Sequence, residues 1–214
     1  MKLMTAFAFI TLTLLTVGQT DGAAITGLFA TGVDSAGSIL GDNADDPHYT
    51  LLPSGGAAKT IFSSSIPGSW VANDPASRWV WETASGTPTD VTRTFRITFD
   101  LTGLLPTTAQ ISGTWSTDNS GLDILINGNS TANTSGGFSA FTNFTIDSGF
   151  VPGTNNLDFV VQDLGSISGF RVGSISGTAA VVPEPSASTV GLLLALCTIS
   201  FTTRTHHAQC RTTS

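Results

Sequence analysis

Residues able to do chemistry are few and unevenly placed in this 214-residue sequence. Residues 25–181 hold one histidine, His48, one glutamate, Glu82, and no cysteine. No Gly-x-Ser-x-Gly elbow and no histidine pair with metal spacing occurs, so neither a serine-nucleophile nor a zinc hydrolase is signalled. Paired aspartates can supply the general acid and base of a glycosidase, yet the scattered acids nominate no pair. Beside Pro47 and Tyr49, His48 reads as a loop histidine. The expectation is a protein that is not an enzyme, with a glycoside hydrolase as the least favoured alternative.

Two constellations suit binding better. In the loop Gly41-Asp42-Asn43-Ala44-Asp45-Asp46-Pro47, Asp42, Asp45 and Asp46 offer clustered oxygens of the kind calcium takes six to eight of. No other cofactor is suggested, and the loop lacks the Asp-x-Asp-x-Asp-Gly pattern. Four tryptophans, Trp70, Trp79, Trp81 and Trp115, fall within residues 25–181. A flat indole can stack on the apolar side of a sugar ring while polar neighbours bind its hydroxyls. Arg78 with Trp79, and Asp118 and Asn119 near Trp115, have that combination. The alternative is core packing, because Trp115 shares the parity of Ile111, and Trp79 and Trp81 share a parity of their own.

The elements that must position these residues read as strands. From 91 to 101, Phe95, Ile97, Phe99 and Leu101 alternate with Thr94, Arg96, Thr98 and Asp100, the period of a half-buried strand. Ala109, Ile111, Gly113 and Trp115 predict the next strand, followed by a polar loop over residues 117–121. Leu122, Ile124 and Ile126 predict another, and Asn127-Gly128 is the favoured pair for a hairpin turn. Strands are expected at 141–146, 157–161 and 170–175, and shorter ones at 25–33, 49–52, 59–62 and 78–81. Turn chemistry at roughly ten-residue intervals, with no helical stripe and no internal repeat, indicates a sandwich or barrel.

About 150 residues suffice for one core without staples. Both cysteines, Cys197 and Cys210, lie beyond the domain, so packing must hold it together. Thirteen acidic residues against five basic ones give it a net charge near −8, which disfavours nucleic acid as a partner.

The two ends carry different information. Lys2, the apolar or threonine-rich stretch 3–17 and the small residues Gly22-Ala23-Ala24 form a secretory signal, with cleavage expected after Ala24. At the other end, Val182-Pro183-Glu184-Pro185-Ser186 precedes an apolar run over 187–201, with Arg204 and Arg211 beyond it. The prolines hold the backbone extended, the run is a short membrane anchor, and the arginines favour a cytoplasmic end.

This tail resembles the PEP-CTERM sorting signal, its motif being Pro183, Glu184 and Pro185. Here Arg204 and Arg211 stand apart, where the family has a tight arginine cluster. The resemblance implies an exported bacterial protein, held by a transmembrane helix at about 187–203. Exosortase would process it after signal peptidase has acted, for delivery to the cell surface or exopolysaccharide matrix. A plain C-terminal anchor with a proline-containing linker is the competing reading. The segments 93–101, 111–119 and 122–128 resemble galactose-binding-like jelly-roll domains, which implies a jelly-roll β-sandwich and polysaccharide as a possible partner. The expected organisation is a signal peptide at 1–24, an all-β sandwich at 25–181 and a sorting tail at 182–214. Function is expected to be carbohydrate-binding-like, or structural and adhesive without a defined sugar site.

Overall fold

The computed structural model describes residues 22–183. The expected signal peptide up to Asp21, Glu184 and Pro185 of the sorting motif, and the expected membrane helix lie outside the described residues. Among the described residues, no helix is long and apolar enough to cross a membrane.

Among the described residues eleven strands form, all paired antiparallel: β1 (Ala23–Ala24), β2 (Asp45–Leu52), β3 (Ala57–Thr60), β4 (Val80–Trp81), β5 (Thr92–Asp100), β6 (Gln110–Asp118), β7 (Ser120–Ile126), β8 (Asn129–Ser130), β9 (Thr142–Ile146), β10 (Thr154–Gln162) and β11 (Gly169–Ala179). The pairing runs β8-β7-β10-β5-β2-β3-β4-β11-β6-β9, with β1 added to β11. This single hydrogen-bonded path curls, and the short strands β3 and β4 carry it from one arm to the other. Aromatic contacts then tie the arms together. Phe170 of β11 packs on Phe95 of β5 at 4.6 Å and on Phe159 of β10 at 5.1 Å between ring centroids, and Trp115 of β6 meets Phe159 at 5.6 Å. The result is an all-β domain consistent with a β-sandwich.

The alternation in the sequence is realised most cleanly in β5, where Phe95, Ile97 and Phe99 are buried between more exposed neighbours. Asn127 and Gly128 both take positive φ, 50° and 81°, and turn β7 into β8 as expected. Three expectations need correction. Residues 25–33 run beside β11 through bonds from Ile25 N to the Gly177 carbonyl and from Thr31 N to the Val172 carbonyl, but form no ladder. Gly27 and Gly32, at φ 87° and 73°, bend the segment out of the β region. The strand at this end is β1, which pairs Ala23 with Ala179 and Ala24 with Thr178 on the N-terminal side of the expected cleavage point.

The predicted loop at 117–121 shrinks to Asn119. Strand β6 pairs with β11 and β9 while β7 pairs with β10 and β8, so the chain changes arms at this one residue. Leu122 shares a parity with Ile124 yet is 43% exposed. The β7–β10 register jumps from Asp123↔Val160 to Gly121↔Val161, leaving Leu122 as the extra residue of a bulge.

Close packing at the changeover demands glycine at 121. A Cβ there would lie 2.2 Å from Trp115 Cη2 and 2.8 Å from Ser135 Cβ. Gly121→Ala is expected to destabilise the domain by about 1–3 kcal/mol through overpacking, read as a lower midpoint in urea. An unchanged midpoint would refute this account of the corner.

Candidate functional site

The loop 41–47 holds the expected calcium ligands. Among the described residues, no group of three or more histidine, cysteine, aspartate or glutamate side chains is placed to hold a metal ion. Each carboxylate of the expected trio has a different employer. Asp42 pairs with Arg78 and accepts a 2.8 Å bond from Ser63 Oγ. These bonds, that from Arg78 first, hold its carboxyl below the usual range. Asp45 pairs with Lys59 across β2 and β3. Asp46 is 1% exposed and accepts backbone N–H bonds from Gly32 at 2.7 Å and His48 at 2.9 Å. Burial outweighs those bonds and raises its pKa. The three carboxylates expected to share a calcium ion thus turn to separate partners: Arg78, Lys59 and the N–H groups of Gly32 and His48.

Arg78 is likewise a clasp. At 6% exposure, its guanidinium donates to the Leu40 carbonyl at 2.7 Å and Ser63 Oγ at 2.7 Å besides pairing with Asp42. It ties the 40–42 loop to the end of β3. Trp79, beside it, is fully buried; its Nε1 donates to the Val71 carbonyl at 2.7 Å and its ring lies 4.3 Å from Trp70. Trp81 packs on Phe95, and Trp115 on Phe159. All four indoles are buried. None presents a face on which a sugar could stack, because the aromatic area that a platform needs is consumed in joining the two arms.

Asp118 and Asn119 do stand near Trp115, at the corner where the chain changes arms. Asn119 accepts from Leu164 N at 2.6 Å through Oδ1 and donates its own N–H to the Gln162 carbonyl at 3.0 Å. Asp163 is buried, and its Oδ2 accepts from the backbone N–H groups of Asp90 at 2.6 Å and Gly165 at 2.9 Å. Asp118 is 6% exposed, and its Oδ1 has no hydrogen-bond partner. Burial pushes its pKa up to about 6, Trp70 opposes the shift, and the charge of Asp163 adds to it. The corner thus holds one carboxyl that titrates near neutrality, inside the fold rather than at a substrate.

Two open clefts contain acidic side chains. One of about 360 Å³ between Leu52 and Arg93 contains Glu82, which is engaged by Arg93 Nε at 2.6 Å. Another of about 260 Å³ beside Asn129 contains Asp147. Neither brings two carboxylates together.

The outer face of β11, β6 and β9 escaped the sequence reading. Ser174 sits opposite Thr114 and Ser176 opposite Ser112, and these two β6 residues lie opposite Asn143 and Thr145 of β9. All are exposed except the half-buried Thr114, which shares a 3.1 Å hydroxyl bond with Ser174. The signal was present as the polar half of each strand's alternation, but adjacency of the three strands was not.

The fold and these sites together define an all-β, cysteine-free domain, its curled antiparallel sheet consistent with a sandwich, whose charged side chains mostly fasten loops. Comparison with models of known protein families and with characterised proteins finds no match to this chain.

Two outcomes are expected. Arg78→Ala leaves the Leu40 carbonyl without its donor and is expected to cost about 1–3 kcal/mol, with Arg78→Lys recovering only part because a lysine cannot reproduce the fork; added calcium should leave the wild-type melting temperature unchanged. For Asp118, a folded pKa raised to about 6 above the ordinary 3.8 means the folded state holds the proton more tightly. Its stabilising contribution is complete below about pH 4 and is lost as pH rises through 6. Asp118→Asn should therefore gain stability relative to wild type between pH 4 and pH 7, measured as the difference in urea midpoints; a flat difference would refute the assignment.

Proposed function

We propose that this chain is an exported bacterial surface or exopolysaccharide-matrix protein carrying a non-enzymatic β-sandwich of the jelly-roll, galactose-binding-like type. Signal peptidase would remove the N-terminal segment. The C-terminal helix would hold the chain in the membrane until exosortase acts at Pro183, Glu184 and Pro185. The observation that carries this reading is where the domain stops. Strand β11 ends at Ala179, and Ala180 closes the domain through bonds with Leu105 N and Thr108 Oγ1 at 2.8 Å each. The core lies between Ile25 and Ala179, so cutting at the motif would leave that core intact.

Within that reading, burial of all four tryptophans favours a structural or adhesive matrix module over one with an indole-lined sugar pocket. The net negative charge supports the exclusion of nucleic acid.

Intact-mass measurement of the protein from its native host tests the sorting reading. The expected product lacks both the N-terminal segment and the residues beyond the Pro-Glu-Pro motif, and replacing Pro183, Glu184 and Pro185 with alanine should leave the tail attached and the protein in the membrane fraction. Recovery of an uncut chain from the cytosol would overturn the proposal.

A further inference from the structure

We infer that the end of the domain around Asn119 is a pH-sensitive latch: the buried carboxyl groups of Asp118 and Asp163 keep the 163–168 turn shut while one of them carries a proton, and let it open when both are ionised. Three connections between the arms meet here, residues 82–91 from β4 to β5, Asn119 from β6 to β7, and residues 163–168 from β10 to β11. The turn is bonded to both of its neighbours. Leu164 N donates to Asn119 Oδ1 at 2.6 Å, Asp163 N to the Val91 carbonyl at 2.8 Å, and Ser168 N to the Gly86 carbonyl at 3.0 Å. Of its two apolar side chains, Leu164 is 65% exposed and Ile167 is only part-buried against the core. A segment fastened by polar bonds, with so little apolar burial, belongs to the part of a fold that opens first.

Two oxygens make it a latch rather than a simple turn. Asp118 is 6% exposed and Asp163 1%, and the Oδ1 atom of each lacks a hydrogen-bond partner. Asp163 Oδ2 already gathers the N–H groups of Asp90 and Gly165, so this carboxyl joins the turn to the 82–91 connection. An ionised carboxylate with an unpaired oxygen is disfavoured inside a protein, and a second one close by is disfavoured further. Keeping a proton on Asp118 relieves both terms; opening the turn to water relieves them too.

No cation is placed to settle the pair instead. On the adjoining elements Arg93 is taken by Glu82, Arg171 by Asp74 and Arg96 by Asp158, while Asp123 of β7 bonds the N–H of Ile124 and Asp90 is exposed. The 66–73 segment, which brings Trp70 to Asp118, and the 135–139 loop carry no charge. Burial first, and the charge of Asp163 with it, hold the Asp118 carboxyl up at about 6 against the bond from Trp70. Because that lies above the ordinary 3.8, opening the turn releases a proton. Opening therefore grows as pH rises from about 4 and levels off above about 6. The seam tightens in acid and loosens toward neutrality.

The test is hydrogen–deuterium exchange, read by mass spectrometry on the full chain in mild non-ionic detergent, from about pH 4 to about pH 8. Protection of residues 162–169, corrected for intrinsic exchange, should fall by up to about tenfold per pH unit below pH 6 and then level off. It should be weaker than that of β5 and insensitive to low urea, whereas β5 exchange, which needs global unfolding, should respond steeply. Asp118→Asn should make the 162–169 profile flat. Asp163→Asn keeps an acceptor but removes the charge, so its profile should level off at a lower pH. A flat wild-type profile overturns the inference, and decides the question alone if Asp118→Asn does not fold. So does exchange of 162–169 at the rate and urea slope of β5, because the turn then opens only with the whole domain. A pH dependence that survives Asp118→Asn, or is untouched by Asp163→Asn, assigns the proton to other groups and overturns it as well.

Discussion

The aromatic bridge between the two arms is the constraint on which everything else depends. Phe159 touches Trp115, Phe144, Phe170 and Tyr49, and Phe170 in turn packs against Phe95. With no cysteine in the domain, this apolar contact is the main force holding a curled sheet closed, because antiparallel pairing alone leaves the path free to open. Burial of large aromatic side chains contributes several kcal/mol each by truncation. The same demand explains why the tryptophans went inside: a core that must join two layers without staples uses the largest apolar surfaces available.

Buried charge plays a subordinate, fastening role. Arg171, fully buried in β11, donates to Ser77 Oγ at 2.8 Å and the Ala72 carbonyl at 2.6 Å and pairs with Asp74, so it holds the 71–77 loop over the sheet. Arg78 does the same for 40–42, and Asp46 and Asp163 gather backbone N–H groups from the turns around them. Long connections between short strands carry many unpaired backbone groups, and ionised side chains make the stronger bonds to them. Among the described residues, these side chains of chemically promising types are therefore engaged in holding loops. At the corner where the chain changes arms, the Oδ1 atoms of both Asp118 and Asp163 are left without a hydrogen-bond partner.

Much of the fold was legible because period-two alternation reports directly on burial. Phe95 to Leu101 and Ile111 to Trp115 show their inner faces without any tertiary knowledge, and Asn127-Gly128 announces its turn. Legibility failed where a residue's role is set by a neighbour distant in sequence. Leu122 has the parity of a core residue but is displaced by a bulge against Val160 and Val161. Asp42, Asp45 and Asp46 look like one cluster in the sequence, yet their partners Arg78, Lys59 and the N–H of Gly32 lie elsewhere along the chain and draw them apart.

By itself, the sequence determined that this is a strand-built, acidic, disulfide-free domain, since composition and alternation act locally. It also set the order of the polar side chains along each strand. Only the tertiary structure decided that β11, β6 and β9 lie side by side, turning three short runs of Ser, Thr and Asn into one continuous face. It alone decided that Asn119 is the point where the chain changes arms. Strand adjacency depends on non-local pairing and on how the aromatic core closes, and neither leaves a periodic trace in a single chain.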